Sequence, residues 1–248
     1  MKLFAAISTT ISVACLGAAA WAGDAPCQSA LFEGARFILC EADPATDDIR
    51  LFLRNDDGAT LGTFRAVEAE LGDDEALIFA MNGGMYHPDR RPVGLYVEDG
   101  IEVQRIVTRA GPGNFGLLPN GVLCLDDGTA AVIESRTFAS DPRPCRFATQ
   151  SGPMLVIDGA LHPRFLVDSD SRFIRNGVGV RADGTLVAAI ADTPVTFHHF
   201  GRFFRDVAET PNALFMDGKV SRLHAPSLDR SDFGFPLGPI LGVVGPKR

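Results

Sequence analysis

Short apolar runs that stop abruptly at Asn-Gly or Asp-Gly recur along the whole chain, and this punctuation limits what it can fold into. An apolar run of roughly 4–8 residues bounded by turn residues reads as a strand. Breaks at Asn82-Gly83, Asp99-Gly100, Asn120-Gly121, Asp127-Gly128, Asp158-Gly159, Asp183-Gly184 and Asp217-Gly218 predict strands over 36–40, 49–54, 75–81, 93–98, 101–107, 122–125, 154–157, 178–181, 185–191 and 213–216. The pair flanking Asp99-Gly100 reads as a hairpin. Two stretches show helical spacing instead. One carries Leu61, Phe64, Val67 and Leu71; the other carries Phe197, Phe200, Phe204 and Val207, with Asp192 or Thr193 as the cap and Pro194 in the first turn. The expected fold class is α+β, with mixed or mainly antiparallel sheets and few helices. No fixed-period repeat or long linker divides the chain of 248 residues, so a single domain is expected.

Residues 1–22 are set apart. Lys2 precedes an apolar stretch of small residues ending in Ala20-Trp21-Ala22, which reads as a secretory signal peptide with an A-x-A cleavage site. The remaining domain is 23–248, and the expected location is periplasmic or secreted. Cleavage leaves Cys27, Cys40, Cys124 and Cys145, an even set in an oxidising compartment. Three pairings exist. Cys27–Cys40 with Cys124–Cys145 is favoured because each closes a short loop, against an alternative of free buried thiols. No C-x-x-C pair suggests structural zinc. The formal net charge of −8 lacks the basic footprint of a nucleic-acid or anionic-membrane binder, and no later stretch is long and apolar enough to span a bilayer.

Polar and glycine residues gather where apolar strands end. The strings are Asn82-Gly83-Gly84, Gln150-Ser151-Gly152, Arg175-Asn176-Gly177 and Asp217-Gly218 with Ser221. Glycine lets a ligand approach backbone amides, consecutive amides can cradle an anion, and Arg presents a planar fork to phosphate or carboxylate oxygens. Together they suit a polar, oxygen-rich, anionic ligand. Ser151 is not a nucleophile elbow, since Thr149 and Pro153 stand where G-x-S-x-G needs glycine. There is no H-E-x-x-H, P-loop or dinucleotide fingerprint, and Asp168-Ser169-Asp170 lacks the EF-hand pattern, so neither cofactor nor metal is expected. His198 and His199 read as exposed or hydrogen-bonded helix residues rather than catalytic ones. With no Trp after residue 22, a broad aromatic stacking platform is disfavoured against a small polar pocket.

At these loops the chain resembles the phosphodiester glycosidase family, and within it the bacterial exported members labelled exopolysaccharide-biosynthesis-like. The resemblance is carried by Met81-Asn82-Gly83-Gly84-Met85-Tyr86, Pro92-Val93-Gly94-Leu95-Tyr96, Asn114-Phe115-Gly116 through Pro119-Asn120-Gly121-Val122, Thr149-Gln150-Ser151-Gly152-Pro153, Arg175-Asn176-Gly177-Val178-Gly179-Val180, and Met216-Asp217-Gly218 with Ser221. It implies an α+β catalytic domain with a polar pocket built from these loops, which cleaves a sugar-1-phosphodiester at the anomeric carbon. Two strings depart from the family pattern. Arg175-Asn176-Gly177 stands for Arg-Thr-Ala, keeping a hydrogen-bonding side chain, and Lys219 stands for a glycine, adding a charge that could bind phosphate or block a backbone approach.

The reading assigns Asp217 as the carboxylate that activates water or attacks the anomeric carbon, with Glu98 and Asp192 as weaker alternatives. Arg175 is assigned to the phosphate, assisted by amides of Gly83-Gly84 or Ser151-Gly152. Asn82, Gln150 and Asn176 would orient sugar hydroxyls, with Gly218 and Ser221 completing the pocket. Two alternatives stand beside it: a non-catalytic periplasmic glycan-binding module, and a metal-dependent phosphodiesterase using Asp217, Asp192 and nearby His.

Overall fold

Alternate residues of the strand Ala35–Ala42 face two different cores, and this sets the architecture. Ala35, Phe37 and Leu39 pack with one apolar cluster, while Ile38, Cys40 and Ala42 pack with another. A strand buried on both faces must sit in a middle layer. The structure is a computed structural model that describes residues 25–247. The signal-peptide reading of 1–22 lies outside the described residues.

The middle layer is a seven-stranded sheet in the order Cys27–Phe32, Ala35–Ala42, Leu186–Ala191, Asn176–Val180, Asn212–Asp217, Met154–Ile157, Ala160–Leu161. One face is covered by the helix Phe197–Asp206 (α3), whose Phe200, Phe203 and Phe204 are fully buried. The other face meets two five-stranded sheets through a shared core that includes Phe79, Leu123, Val178, Leu214 and Leu241. The second sheet runs Arg230–Ser231, Leu223–Ala225, Glu75–Asn82, Ile240–Pro246, Asp48–Phe52. The third runs Ile101–Gln104, Tyr96–Glu98, Phe147–Ser151, Gly121–Asp126, Thr129–Glu134. Every pairing between these strands is antiparallel. The α+β class is as expected. No helix among the described residues is long and apolar enough to cross a membrane.

Both favoured disulfides form. Cys27 and Cys40 are direct cross-strand partners, and Cys124 is joined to Cys145. The helices begin later than expected. Phe64–Glu70 starts at Thr63, whose hydroxyl accepts from Ala66 N at 3.1 Å. Leu61 stays outside because its N–H is bonded to Leu53 O at 3.0 Å, in an extended approach. Neither Asp192 nor Thr193 caps α3: Thr196 does, accepting from His199 N at 3.1 Å. Val195 is bonded in both directions to Phe173, which holds Pro194 and Val195 extended and displaces the helix start. The Asp99-Gly100 hairpin is present but shorter than expected, its arms being Tyr96–Glu98 and Ile101–Gln104. The short helix Ser135–Ser140, capped by Glu134, has too few residues to show a helical period and was not anticipated.

Candidate active site

The three sheets place their polar strand ends close together. Asn82 ends Glu75–Asn82 in the second sheet. Asn176 opens Asn176–Val180 and Asp217 closes Asn212–Asp217 in the middle sheet, where the two residues are register partners. Ser151 ends Phe147–Ser151 in the third sheet, and its hydroxyl donates to Met216 O at 3.2 Å, next to Asp217.

Asp217 is 9% exposed. Its Oδ1 accepts from Lys219 N at 2.7 Å and Val220 N at 3.2 Å, so the chain turns tightly around its own carboxylate. Its Oδ2 lies 3.5 Å from Asn82 Nδ2. Asn82, fully buried, braces this turn from the neighbouring sheet: Nδ2 donates to Val220 O and Oδ1 accepts from Arg222 N, both at 2.7 Å. Asn176 Nδ2 lies 3.5 Å from Asn82 O. Ser221 Oγ is 2.9 Å from Asp217 O, 3.0 Å from Ile174 O and 3.5 Å from Asn176 Oδ1, and its single proton serves one acceptor at a time.

The bracing role of Asn82 has a measurable consequence. Asn82→Ala leaves Val220 O and Arg222 N without these partners, at about 1–3 kcal/mol for a buried unpaired group. Urea unfolding should show a loss of about 2 kcal/mol. Unchanged stability would show that the turn holds itself.

Arg175 is 1% exposed and lies behind Gly218. Its Nε donates to Val195 O at 2.9 Å and Nη2 to Ser171 O at 3.0 Å, while the guanidinium stacks 3.7 Å from the Phe197 ring centroid. Burial pushes its pKa down to about 10, still charged at neutral pH. Nη1 faces Gly218, where a Cβ would come within 3.5 Å of it.

Gln150 does not face open space. Its Oε1 accepts from Leu95 N at 3.0 Å and Val107 N at 2.9 Å, and Nε2 donates to Val107 O at 2.6 Å and Ser135 Oγ at 2.8 Å. These bonds fasten neighbouring loops and leave Gln150 no capacity for sugar hydroxyls, so the expected sugar-orienting role is replaced by a positioning one. Gly83 is a close-approach position: a Cβ there would lie 2.8 Å from Ile240 C and Leu241 N of the adjacent strand. Gly84 and Gly152 pack as tightly, against Thr149 and Asn120 side chains. Of the alternative carboxylates, Asp192 is bound to Arg230 at 2.6 Å, and Glu98 packs near Tyr96 and Leu53 with burial raising its pKa. Among the described residues no three His, Cys, Asp or Glu side chains converge on a common point, so Asp217, Asp192 and a His do not form the ligand set that the metal reading needed. His199 packs against Phe32 and Phe37, with Nε2 3.2 Å from Phe32 O.

A groove of about 730 Å³ opens beside the Asp217 turn, walled by 218–222, 172–174 and 230–235. Asp217, Asn176 and Arg175 lie one layer behind this wall. Phe233 and Phe235, 96% and 79% exposed, stand on its rim. The aromatic content of the site is therefore larger than the lack of Trp suggested. Tyr86, half-buried, is raised in pKa by burial and by the charge of Asp217, with Arg90 and Arg222 opposing. Sequence reasoning named Tyr86 only as part of a motif and missed Arg222 altogether. A second cavity of about 270 Å³, lined by Asp47, Asp48, Asp126 and Asp127 among others, shares no residue with this cluster.

The sequence model of the phosphodiester glycosidase family matches residues 75–224, which contain every strand-end string described above. The uncharacterized protein YigE of Escherichia coli (strain K12) is 29% identical over 182 residues, 73% of this chain and 71% of its own length. Among solved structures, the zebrafish N-acetylglucosamine-1-phosphodiester alpha-N-acetylglucosaminidase catalytic domain, auto-inhibited by its pro-peptide, aligns with a TM-score of 0.61 at 13% identity, over 88% of this chain and 81% of that one. A protein from Burkholderia pseudomallei K96243 aligns with a TM-score of 0.56 at 12% identity, over 84% of this chain and 74% of that one. At these identities the two solved structures establish a shared fold.

Proposed function

Because the chain belongs to the phosphodiester glycosidase family, we propose that it is an exported hydrolase that cleaves a glycosyl-1-phosphodiester at the anomeric carbon, in envelope or exported polysaccharide metabolism. One observation carries the reading most: a carboxylate, Asp217, is held by its own turn and by Asn82 from another sheet, beside a groove that presents Arg172, Lys219, Arg222 and Arg230. An acidic chain that gathers cations at one groove has built a local site for an anion.

The bond that breaks joins the anomeric carbon to a phosphate oxygen. Its electron pair leaves with the phosphate, and water supplies the hydroxyl for the sugar and a proton that passes to solvent or the phosphate monoester. Phosphate is a good leaving group, so the site needs cations and amides more than a strong acid. Asp217 activates the water or attacks the anomeric carbon directly. Ser221, on the groove wall, offers a hydrogen bond to a sugar hydroxyl, and Asn176 sits behind it with Oδ1 3.5 Å from the Ser221 hydroxyl. Arg175 contributes positive potential from behind Gly218, and Gln150, Gly83 and Gly84 keep the surrounding loops in place. The two disulfides and the reading of 1–22 as a leader support a periplasmic or secreted location, with 23–248 acting as one domain.

The test is a turnover assay on purified protein beginning at Gly23, with sugar-1-phosphodiesters such as UDP-N-acetylglucosamine, with and without chelator. Release of free sugar that survives chelation is expected. Saturable glycan binding with no release across a varied panel would favour the binding module instead. Release abolished by chelator and restored by a divalent ion would favour the metal-dependent reading.

A further inference from the structure

We propose that Arg222 holds the leaving phosphate, forming an anion subsite in the groove that receives the non-sugar arm of the substrate. The inference rests on the hydrolase reading and adds to it the residue and the place at which negative charge accumulates.

Arg222 differs from the other cations near the site. Arg230 is neutralised by Asp192 at 2.6 Å and Asp232 at 2.9 Å. Arg175 spends donors on two backbone carbonyls. Lys219 and Arg172 are exposed, where water satisfies them. Arg222 is only 7% exposed, yet among the described residues its guanidinium makes neither a salt bridge nor a hydrogen bond, and it lines the groove. Burial pushes its pKa down, while the charges of Tyr86, Asp232 and Asp217 oppose that shift. The side chain is largely packed away while its unpaired donors stay open to the groove, where water serves them until an anion takes its place. A planar fork facing a groove matches two oxygens of a phosphate.

The surrounding chain is shaped to leave this group accessible. Gly234, at φ +144°, passes close over the guanidinium, and a Cβ there would lie 2.6 Å from Arg222 Nη2. A side chain at 234 would crowd this end of the guanidinium, and at that φ it would also strain the backbone. At its other end Arg222 is fixed by the amide N–H that donates to Asn82 Oδ1, on the same side chain whose Nδ2 lies 3.5 Å from the Asp217 carboxylate. One asparagine therefore touches both the carboxylate proposed for the sugar side and the backbone of the cation proposed for the phosphate side.

The charge balance of the reaction explains why such a cation would act on rate. A phosphodiester carries one negative charge. When the anomeric C–O bond breaks, the bonding pair moves to the phosphate, which becomes a dianion. A cation beside it is attracted more strongly as the bond breaks than before, so its effect falls on kcat more than on KM. The same logic makes the phosphate monoester product bind more tightly above its second pKa, near 6.

Glycerol 3-phosphate, a phosphate monoester without a glycosidic bond, is the probe, and calorimetric titration the measurement. The unmodified protein should bind it saturably, more tightly at pH 7.5 than at pH 5. Arg222→Gln should weaken binding about tenfold or more, and Arg222→Lys by less. Turnover in Arg222→Gln should fall about 10²–10³-fold with a smaller change in KM. Circular dichroism and a melting curve establish that each variant is folded, and a Gly234→Ala variant gives an independent obstruction of the same donors. Undiminished monoester binding in folded Arg222→Gln, or no saturable binding in the unmodified protein, overturns the proposal. Monoester binding through Arg222 without any sugar release would overturn the hydrolase reading and sustain the subsite. Sugar release indifferent to Arg222→Gln would do the reverse.

Discussion

Asp217→Asn should give a folded protein that releases sugar about 10³-fold more slowly than the parent, within the range expected for loss of a positioned base or nucleophile. Asparagine keeps the shape of aspartate, and its one remaining side-chain oxygen can accept from Lys219 N and Val220 N as Oδ1 does now. The new amide nitrogen then lies where Oδ2 is, 3.5 Å from Asn82 Nδ2, and two donors face each other. That mismatch should cost about 1 kcal/mol of stability, far less than unfolding requires. The chemistry is affected differently, because a neutral amide neither takes a proton from water nor donates an electron pair to the anomeric carbon. Free-sugar release measured beside a urea unfolding curve separates the two effects. An unchanged rate in the folded variant would remove Asp217 from the reaction and turn attention to Glu98, whose raised pKa makes it the better remaining acid.

Asn82, Asn176, Asp217 and Ser221 were legible in the sequence for a local reason. Asn82, Asn176 and Asp217 each stand at one end of an apolar strand beside glycine, Ser221 follows Asp217 by four residues, and strand ends are encoded by neighbouring residues. Once three sheets stack, such ends are brought together by topology rather than by their own chemistry. The disulfide pairing was legible because both partners lie close in sequence. Arg222 was not. Its importance comes from burial and from a missing counter-charge, and both depend on residues such as Gly234 and Asn82 that are distant along the chain or in another sheet. Gln150 fails in the opposite direction. Its position at a strand end suggested a ligand contact, yet the loops at 95 and 107 and the Ser135 hydroxyl fill its hydrogen-bonding capacity. The start of α3 was misread because Thr193-Pro194 carries the local signals of a cap and first turn. The ladder between Phe173 and Val195, a contact across sequence, overrides them.

Phe203→Ala should lower the free energy of unfolding by about 4 kcal/mol, a large share of the ~5–15 kcal/mol of a whole domain. Phe203 has no exposed surface, and its ring lies 4.0 Å from that of Phe37 at 14°, with Phe204 set edge-on at 6.1 Å. Removing it forfeits the transfer of the ring from water, leaves a cavity between α3 and the middle sheet, and breaks an aromatic stack worth about 0.5–1.5 kcal/mol beyond its area. The neighbours cannot close that cavity easily. Phe37 is fixed in a strand paired on both sides, and Phe200 and Phe204 already fill the remaining face of the helix. The loss should therefore lie near the upper part of the range for large-to-small core changes. Phe203→Leu, which retains most of the volume but not the stack, should cost about 1–2 kcal/mol. Urea unfolding at constant slope is the measurement, and a loss below about 1.5 kcal/mol for alanine would show that the helix settles onto the sheet. The helix covers the face of the middle sheet opposite the shared core. Phe203 packs on Phe37 and Phe204 rather than on the Asp217 turn, so the folded fraction of Phe203→Ala should keep the parental KM.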